Sequence, residues 1–562
     1  MFLRSKKSGR YDYLQLVHNT RVDGQVRQQV LATLGRLDQL RESGQLDNLI
    51  SSLARLSEVS AVLGPAGCTA REGAETVRIG PALLFQRLWE ETSIPTVLGR
   101  LLGRQKFEFD AERAIFLTVL HRLFAPGSDR AAEYWRRGYR IAGTESLGLQ
   151  HLYRAMAWLG RPLPPHEQLD ASPFGPRTQK DRIEEELFAQ RRDLFSTLDL
   201  VFFDTTSLYF EGVGGQGLGQ FGKSKDHRPD RRQMIVGAVL DERGQPICSE
   251  LWPGNTTDVT TLLPVVDRLR GRFGIDELCV VADRGMVSRE TVAELQHPDR
   301  GCHYILGARM RSVKEIRDVV VADGAPFKAV PGPRASHEGP APLKVKEVRL
   351  DERRYIVCLN QEQAQKDRAD REAILASLEE QLRRGDKSLV GNKGYRKYLQ
   401  ARAPHFAIDW EKADQEARFD GLWVLQTDLA SSPAHVALRY KELWQVEALF
   451  RSVKSVLETR PIYHQRDHTI RGHVFCSFLA LVLLKELQRR MEARGFPYEW
   501  ARLRDDLDDL QEIRLQAIGR QVCVRTAPRG SAGRALQAAG VALGPALRFL
   551  DHETNDHEQA PA

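Results

Sequence analysis

Cysteine is scarce in this chain and never paired at close spacing. Seven in 562 residues, an odd number with no C-x-x-C, exclude a disulfide scaffold and indicate a reducing compartment. Long apolar runs are missing as well. The longest, Val474 to Leu484, falls short of the roughly 20 residues a membrane helix needs and carries a serine. The opening residues, Met-Phe-Leu-Arg-Ser-Lys-Lys, lack the apolar stretch of a signal peptide. Neither sign of charge dominates: 82 basic side chains stand against 75 acidic ones, and the net +7 suits a polyanionic partner without requiring one. These absences predict a soluble cytoplasmic protein with no membrane partner. The length exceeds what a single core supports, so several modules are expected.

What is present is organised around Leu200-Val-Phe-Phe-Asp204-Thr-Thr. Apolar, β-favouring residues run into one carboxylate, the pattern of a central strand covered on both faces. Burying an acid is costly unless a partner, often a cation, compensates it. Leu278-Cys-Val-Val-Ala-Asp283-Arg-Gly repeats the arrangement. Two strands that each deliver an Asp near their ends suit a divalent metal, because hard cations require oxygen ligands held together.

Taken in order, residues 1–40 read as a small β module. Tyr11–Val17 and Gln25–Leu31 flank an Asp23-Gly24 turn, and the basic residues (Arg4, Lys6, Lys7, Arg10, Arg21, Arg27) fit either a DNA contact or a solvated edge. A mainly helical region over 41–197, with Ile115, Phe116, Val119, Leu120 and Leu123 on one helix face, reads equally as DNA-binding region or scaffold. Over 198–308 the order is strand, strand, strand, helix, strand, helix, strand. This is the order of an RNase H-like core, in which the first and fourth strands are neighbours and bring Asp204 beside Asp283. Residues 309–420, with a Pro- and Gly-rich loop from Gly324 to Pro342, read as a β-rich insertion with its own small sheet. The core resumes over 421–490, and 491–562 ends in an acidic tail expected to be disordered. The fold class is thus α/β: a mixed five-stranded sheet with helices, interrupted by the insertion and preceded by the helical region.

A helix over about 435–457 buries Val446, Leu449, Phe450, Val453 and Leu457, and sets Glu447, Arg451 and Lys454 on an adjacent stripe. That stripe fits a carboxylate at a metal with cations on nearby phosphates; the bland alternative is an i,i+4 salt bridge facing solvent. Gly217-Leu-Gly-Gln-Phe-Gly-Lys223-Ser224 matches the P-loop string literally, but Pro229 and its turn-forming neighbours oppose the helix that a phosphate cradle requires. A flexible basic loop carrying Lys223, Lys225 and Arg228 to DNA is the better reading. His464, His468 and His473 lack a fourth ligand at zinc spacing. Trp252, Trp410, Trp423 and Trp444 read as core.

These motifs together resemble an insertion-sequence DDE transposase of the IS-four-like superfamily, near its sixteen-thirty-four type, over roughly 110–490. The carriers are Phe203-Asp204-Thr-Thr, the Gly222–Asp230 loop, Ala282-Asp283-Arg-Gly-Met286 and Trp444-Gln-Val-Glu447-Ala-Leu-Phe-Arg-Ser-Val-Lys454. The signature Y-x-x-R-x-x-x-E-x-x-x-x-x-x-K falls on Tyr440, Leu443, Glu447 and Lys454, with leucine where arginine is expected. The missing phosphate contact would pass to Arg439, Lys441 or Arg451. The resemblance implies that Asp204, Asp283 and Glu447 hold two Mg2+ ions, with Mn2+ able to substitute. It implies that Tyr440, Lys454, Arg451, Lys223, Lys225, Arg228 and Arg284 contact DNA. It further implies cut-and-paste cleavage and strand transfer through a DNA hairpin, by a homodimer on terminal inverted repeats and target DNA at the nucleoid. The alternatives are an RNase H-like nuclease, a domesticated DNA-binding derivative without chemistry, and the P-loop ATPase.

Overall fold

The computed structural model describes residues 2–22, 25–46, 48–49, 74–168, 175–191, 200–275, 278–297, 300, 302–330, 343–384, 395–402, 405–517 and 520–550. The expected turn at Asp23-Gly24, most of the Gly324–Pro342 loop and the acidic tail lie outside the described residues.

Along the chain, β1 (Phe2–Ser8), β2 (Tyr11–Val22) and β3 (Gln25–Arg36) form an antiparallel meander. Next come β4 (Glu75–Arg78) and a run of helices, including Ala111–Phe124, Leu149–Leu159 and Gln179–Arg191. The main series is β5 (Leu200–Tyr209), β6 (Gln233–Asp241), β7 (Pro246–Pro253), β8 (Leu278–Ala282) and β9 (Cys302–Gly307). It continues with β10 (Lys328–Ala329), β11 (Leu343–Leu350), β12 (Arg353–Asn360), β13 (Leu399–Arg402), β14 (His405–Ile408) and β15 (Leu422–Thr427). Last are β16 (Gln511–Ala517), β17 (Arg520–Arg525) and β18 (Leu547–Leu550).

The contacts divide the chain into two units: 1–83 with 137–140 and 499–562, and 84–136 with 141–498. In the first, β4 joins a four-stranded sheet of order β18-β17-β16-β4. Neither the helical reading of 41–197 nor the reading of 491–562 anticipated that sheet. The Glu512 carboxylate is buried in it and accepts from Arg140 and from Arg548 at 2.9 Å, so its charge is compensated.

The second unit is built on a nine-stranded sheet of order β10-β11-β12-β15-β9-β8-β5-β6-β7. β5 is buried along most of its length, as its apolar run requires, and pairs parallel to β8 and antiparallel to β6. The sheet corrects the expected architecture. β11, β12 and β15 do not form a separate small sheet: β15 pairs antiparallel with β9 at Leu425–Thr427, so the insertion extends the core sheet beyond five strands. Among the described residues of the insertion, β13 and β14 pair apart from it. The apolar run Val474–Leu484 lies in the helix Asp467–Ala493, which packs against Leu149–Leu159 and Ala111–Phe124. No described helix is long and apolar enough to cross a membrane.

The helix expected over 435–457 is two helices, Pro433–Lys441 and Trp444–Arg451, the second running into a π-helical turn at Ser452–Val456. In one straight helix Ala437 and Val446 would face roughly opposite ways at 100° per residue. The break at Glu442-Leu443 lets both be buried.

Candidate active site

The parallel register of β5 and β8 sets Phe203 beside Ala282, so Asp204 and Asp283, the next residues, emerge side by side. The Asp204 carboxylate is partly buried and accepts the Thr205 backbone N–H at 2.6 Å. Burial pushes this carboxyl up to about 6; Lys225 opposes the shift, while Asp283 and Asp258 add to it. Asp283 accepts from the Tyr440 hydroxyl at 3.1 Å, and burial together with this carboxylate pushes the Tyr440 hydroxyl upward.

A third carboxylate enters that the sequence reading did not single out. Asp258 opens the 3-10 turn Asp258–Thr260, within a stretch that reads as a helix start. Its Oδ1 accepts from Thr205 Oγ1 at 2.7 Å and its Oδ2 stands 3.1 Å from Lys225 Nζ. Asp258 and Asp283 both face Gly285: a Cβ there would lie 3.9 and 3.8 Å from their Oδ2 atoms. In sequence, Asn255-Thr-Thr-Asp258 is indistinguishable from a capping segment, and only the fold turns it toward the other acids.

Glu447 is not drawn into this group. It is exposed on the helix Trp444–Arg451, which packs against β5. Among the described residues no three His, Cys, Asp or Glu side chains are gathered closely enough to hold a metal. Asp204 and Asp283 nevertheless offer the carboxylate oxygens a hard cation takes, and the burial that pushes Asp204 up would be relieved by positive charge.

The basic candidates separate into those with partners in the chain and those simply exposed, and Lys225, though partnered, is exposed as well. Lys225 Nζ donates to the Thr205 carbonyl at 2.9 Å and to its Oγ1 at 2.8 Å, in addition to the Asp258 pair. Lys454, in the π-helical turn, pairs with the buried Asp226 carboxylate at 2.7 Å; Arg460 stands 3.3 Å from the same group. Arg228 makes two 2.9 Å hydrogen bonds to Asp230. Lys223, Arg284 and Arg451 are exposed. Leu443 is buried, where a guanidinium would have to be desolvated, and Arg439 is engaged by Glu442 at 3.1 Å.

The loop is therefore pinned, contrary to its expected flexibility. Its P-loop-like glycines face an internal anion: the Gly217 and Leu218 amides donate to Asp467 at 2.9 and 3.3 Å. A Cβ on Gly217 would lie 2.7 Å from the same carboxylate. No helix follows Ser224, so the geometry of a nucleotide cradle is absent there. His464 and His473 join a buried network instead of a zinc site. His473 accepts from Arg122 at 2.9 Å and meets the Thr459 carbonyl at 3.1 Å, and His464 stands 3.5 Å from Asp129. Trp252 is core as expected, but Trp410 and Trp444 are more than half exposed, the latter one turn before Glu447. A cavity of about 360 Å3 elsewhere in this unit is lined by Lys180, Glu250, Trp252, Arg268 and Arg272, and by none of the acids above.

Residues 3–62 match the N-terminal domain of IS1634 family transposases, and residues 196–483 match the transposase DDE domain. The cryo-EM structure of the piggyBac transposase synaptic complex with hairpin DNA is similar at 10% identity and a TM-score of 0.38, over 76% of this chain and 79% of that one. No curated protein matches.

Proposed function

The chain belongs to the DDE transposases, of the IS1634 type, and from that premise we propose that it cuts and pastes insertion-sequence DNA through metal-dependent cleavage and strand transfer in an RNase H-like core. The observation that carries the reading is the parallel pairing of β5 and β8, which sets Asp204 and Asp283 side by side, close enough for the Asp283 charge to act on the Asp204 carboxyl.

Asp204, Asp283 and Glu447 would hold two Mg2+ ions, replaceable by Mn2+, whose chemistry is to activate the attacking hydroxyl and neutralise the leaving oxygen. Tyr440 holds the Asp283 carboxylate in orientation through its hydroxyl. Glu447 completes the set by a shift of its short helix, and the π-helical turn that follows is where such a ladder yields most readily. Lys223, Arg284 and Arg451 contact backbone phosphates directly. Lys454 and Arg228 do so by exchanging Asp226 and Asp230 for phosphate. The chain works as a homodimer on double-stranded DNA, and the IS-four-like resemblance supports a hairpin intermediate.

Asp204→Ala, Asp283→Ala and Glu447→Ala tested on end-bearing DNA should each lower metal-dependent cleavage by about a thousandfold or more, several kcal/mol of lost charge stabilisation. DNA binding should survive in all three. Cleavage at the wild-type rate in any one removes that residue from the site.

A further inference from the structure

A cation stands among the acids of this site, and the chain itself supplies it. Lys225 Nζ donates to the Thr205 carbonyl at 2.9 Å and to Thr205 Oγ1 at 2.8 Å, and forms an ion pair with Asp258 Oδ2 at 3.1 Å. Thr205 in turn spends its hydroxyl hydrogen on Asp258 Oδ1 at 2.7 Å. Two hydrogen-bonded links and one ion pair join the three side chains next to Asp204, and Thr205 is almost fully buried among them. The Lys225 backbone is fixed as well, by a 2.9 Å bond from its N–H to Ser207 Oγ.

The contribution of Lys225 where it stands is charge held beside the acids by these contacts. The position of that charge matters. An ammonium on a flexible four-carbon stem moves to whichever carboxylate is within reach, and the next ones here are Asp204 and Asp283. Settled on those, it would compete for the oxygens a divalent cation needs.

We propose that Lys225 is the resident cation of the metal-free site, and that Asp258 is a positioning residue that holds this lysine to one side, leaving the Asp204 and Asp283 carboxylates clear for the metal. The proposal rests on the reading of Asp204 and Asp283 as metal-holding acids.

The test is Mn2+ binding to the full chain by titration calorimetry, without DNA and without turnover. Asp258→Asn should weaken Mn2+ binding by about 10- to 100-fold, the usual effect of losing a residue that orients a ligand set. Lys225→Met should bind Mn2+ at least as well as wild type. The double variant Asp258→Asn/Lys225→Met should return to within about twofold of Lys225→Met, because the stray lysine is gone. Thr205→Val, which keeps shape and removes the linking hydroxyl, should weaken binding in the same direction and carries the test if Asp258→Asn does not fold. Unchanged affinity in Asp258→Asn overturns the proposal. A loss that persists in the double variant does so too, since Asp258 would then be a direct ligand. Asp204→Asn separates the two levels. If it binds Mn2+ like wild type, the metal-site reading itself fails; if it loses Mn2+ while Asp258→Asn does not, only the role given to Asp258 and Lys225 fails.

Discussion

Two clusters of ionisable side chains lie in the larger unit, and they are built on opposite plans. In the first, Lys180 meets Glu184 at 2.9 Å and Asp181 at 3.4 Å, while Arg268 meets Asp181 at 2.8 Å, Glu184 at 2.9 Å and also Glu250. The spare oxygen of Glu184 accepts from the Ser249 N–H and hydroxyl at 2.9 and 2.8 Å. Burial alone would push Asp181 up, yet Lys180 and Arg268 outweigh it and hold the carboxyl well below its usual range. In the second cluster Asp204, Asp258 and Asp283 share one lysine, and burial does push Asp204 up. The first cluster is more deeply buried and holds more charge. The second is left with anionic charge its own cation does not balance. The two clusters thus differ in balance of charge more than in depth of burial, and it is the unbalanced one that the proposed function uses.

The contrast can be broken by experiment. Arg268→Met should destabilise the fold by about 3–5 kcal/mol in denaturant unfolding, because it strands buried carboxylates. Asp204→Asn should not destabilise at all in the absence of metal. Comparable losses in both would erase the distinction.

The next effect depends on pH. The Asp204 carboxyl is raised in the folded chain to about 6 from its ordinary 3.8, so the native state binds the extra proton. Its contribution to stability is therefore present below about pH 4 and lost as pH rises through about 6, worth up to roughly 3 kcal/mol. Metal-free wild type should fall in stability over that interval relative to Asp204→Asn, and saturating Mn2+ should remove the difference. A flat difference between pH 4 and 6 would contradict the assignment.

Smaller again is Tyr440→Phe, which leaves Asp283 without its 3.1 Å donor. One hydrogen bond to a charged group is worth about 1.5–3 kcal/mol, so Mn2+ affinity should drop by roughly tenfold or somewhat more. Least of all, Lys223→Ala should change folding stability by less than about 0.5 kcal/mol. It should lower the salt dependence of DNA binding by about one phosphate contact, and leave no nucleotide affinity to lose.

The parts legible in the sequence are those where one pattern has one physical solution. The run before Asp204 could only be a buried strand, and the stripe Val446, Leu449, Phe450, Val453, Leu457 is buried where the 3.6 period puts it. The parts not legible depend on distant partners. Glu75–Arg78 is four residues of no marked pattern, and becomes a strand because Gln511–Arg514 lies alongside it. The strands of the insertion show their type but not whether they join the core sheet or stand apart, since β propensity carries no address. The break at Glu442-Leu443 has neither glycine nor proline to announce it. Asp258 hid behind a plausible cap. Trp444, read as core, is exposed because the stripe it would have joined turns away at that break.

The ladder from β9 to β15 and on to β12 has a mechanical meaning. A domain on a tether can be cut out and the stump sealed, but here residues 309–420 supply the strands that hydrogen-bond the far side of β15. Excising them as a cassette would strip that strand of its neighbour and turn an interior row of N–H and C=O groups into an adhesive rim, ready to pair with another molecule. A shortened version of this protein would have to cap that rim with a new strand or a helix to stay in solution as single molecules.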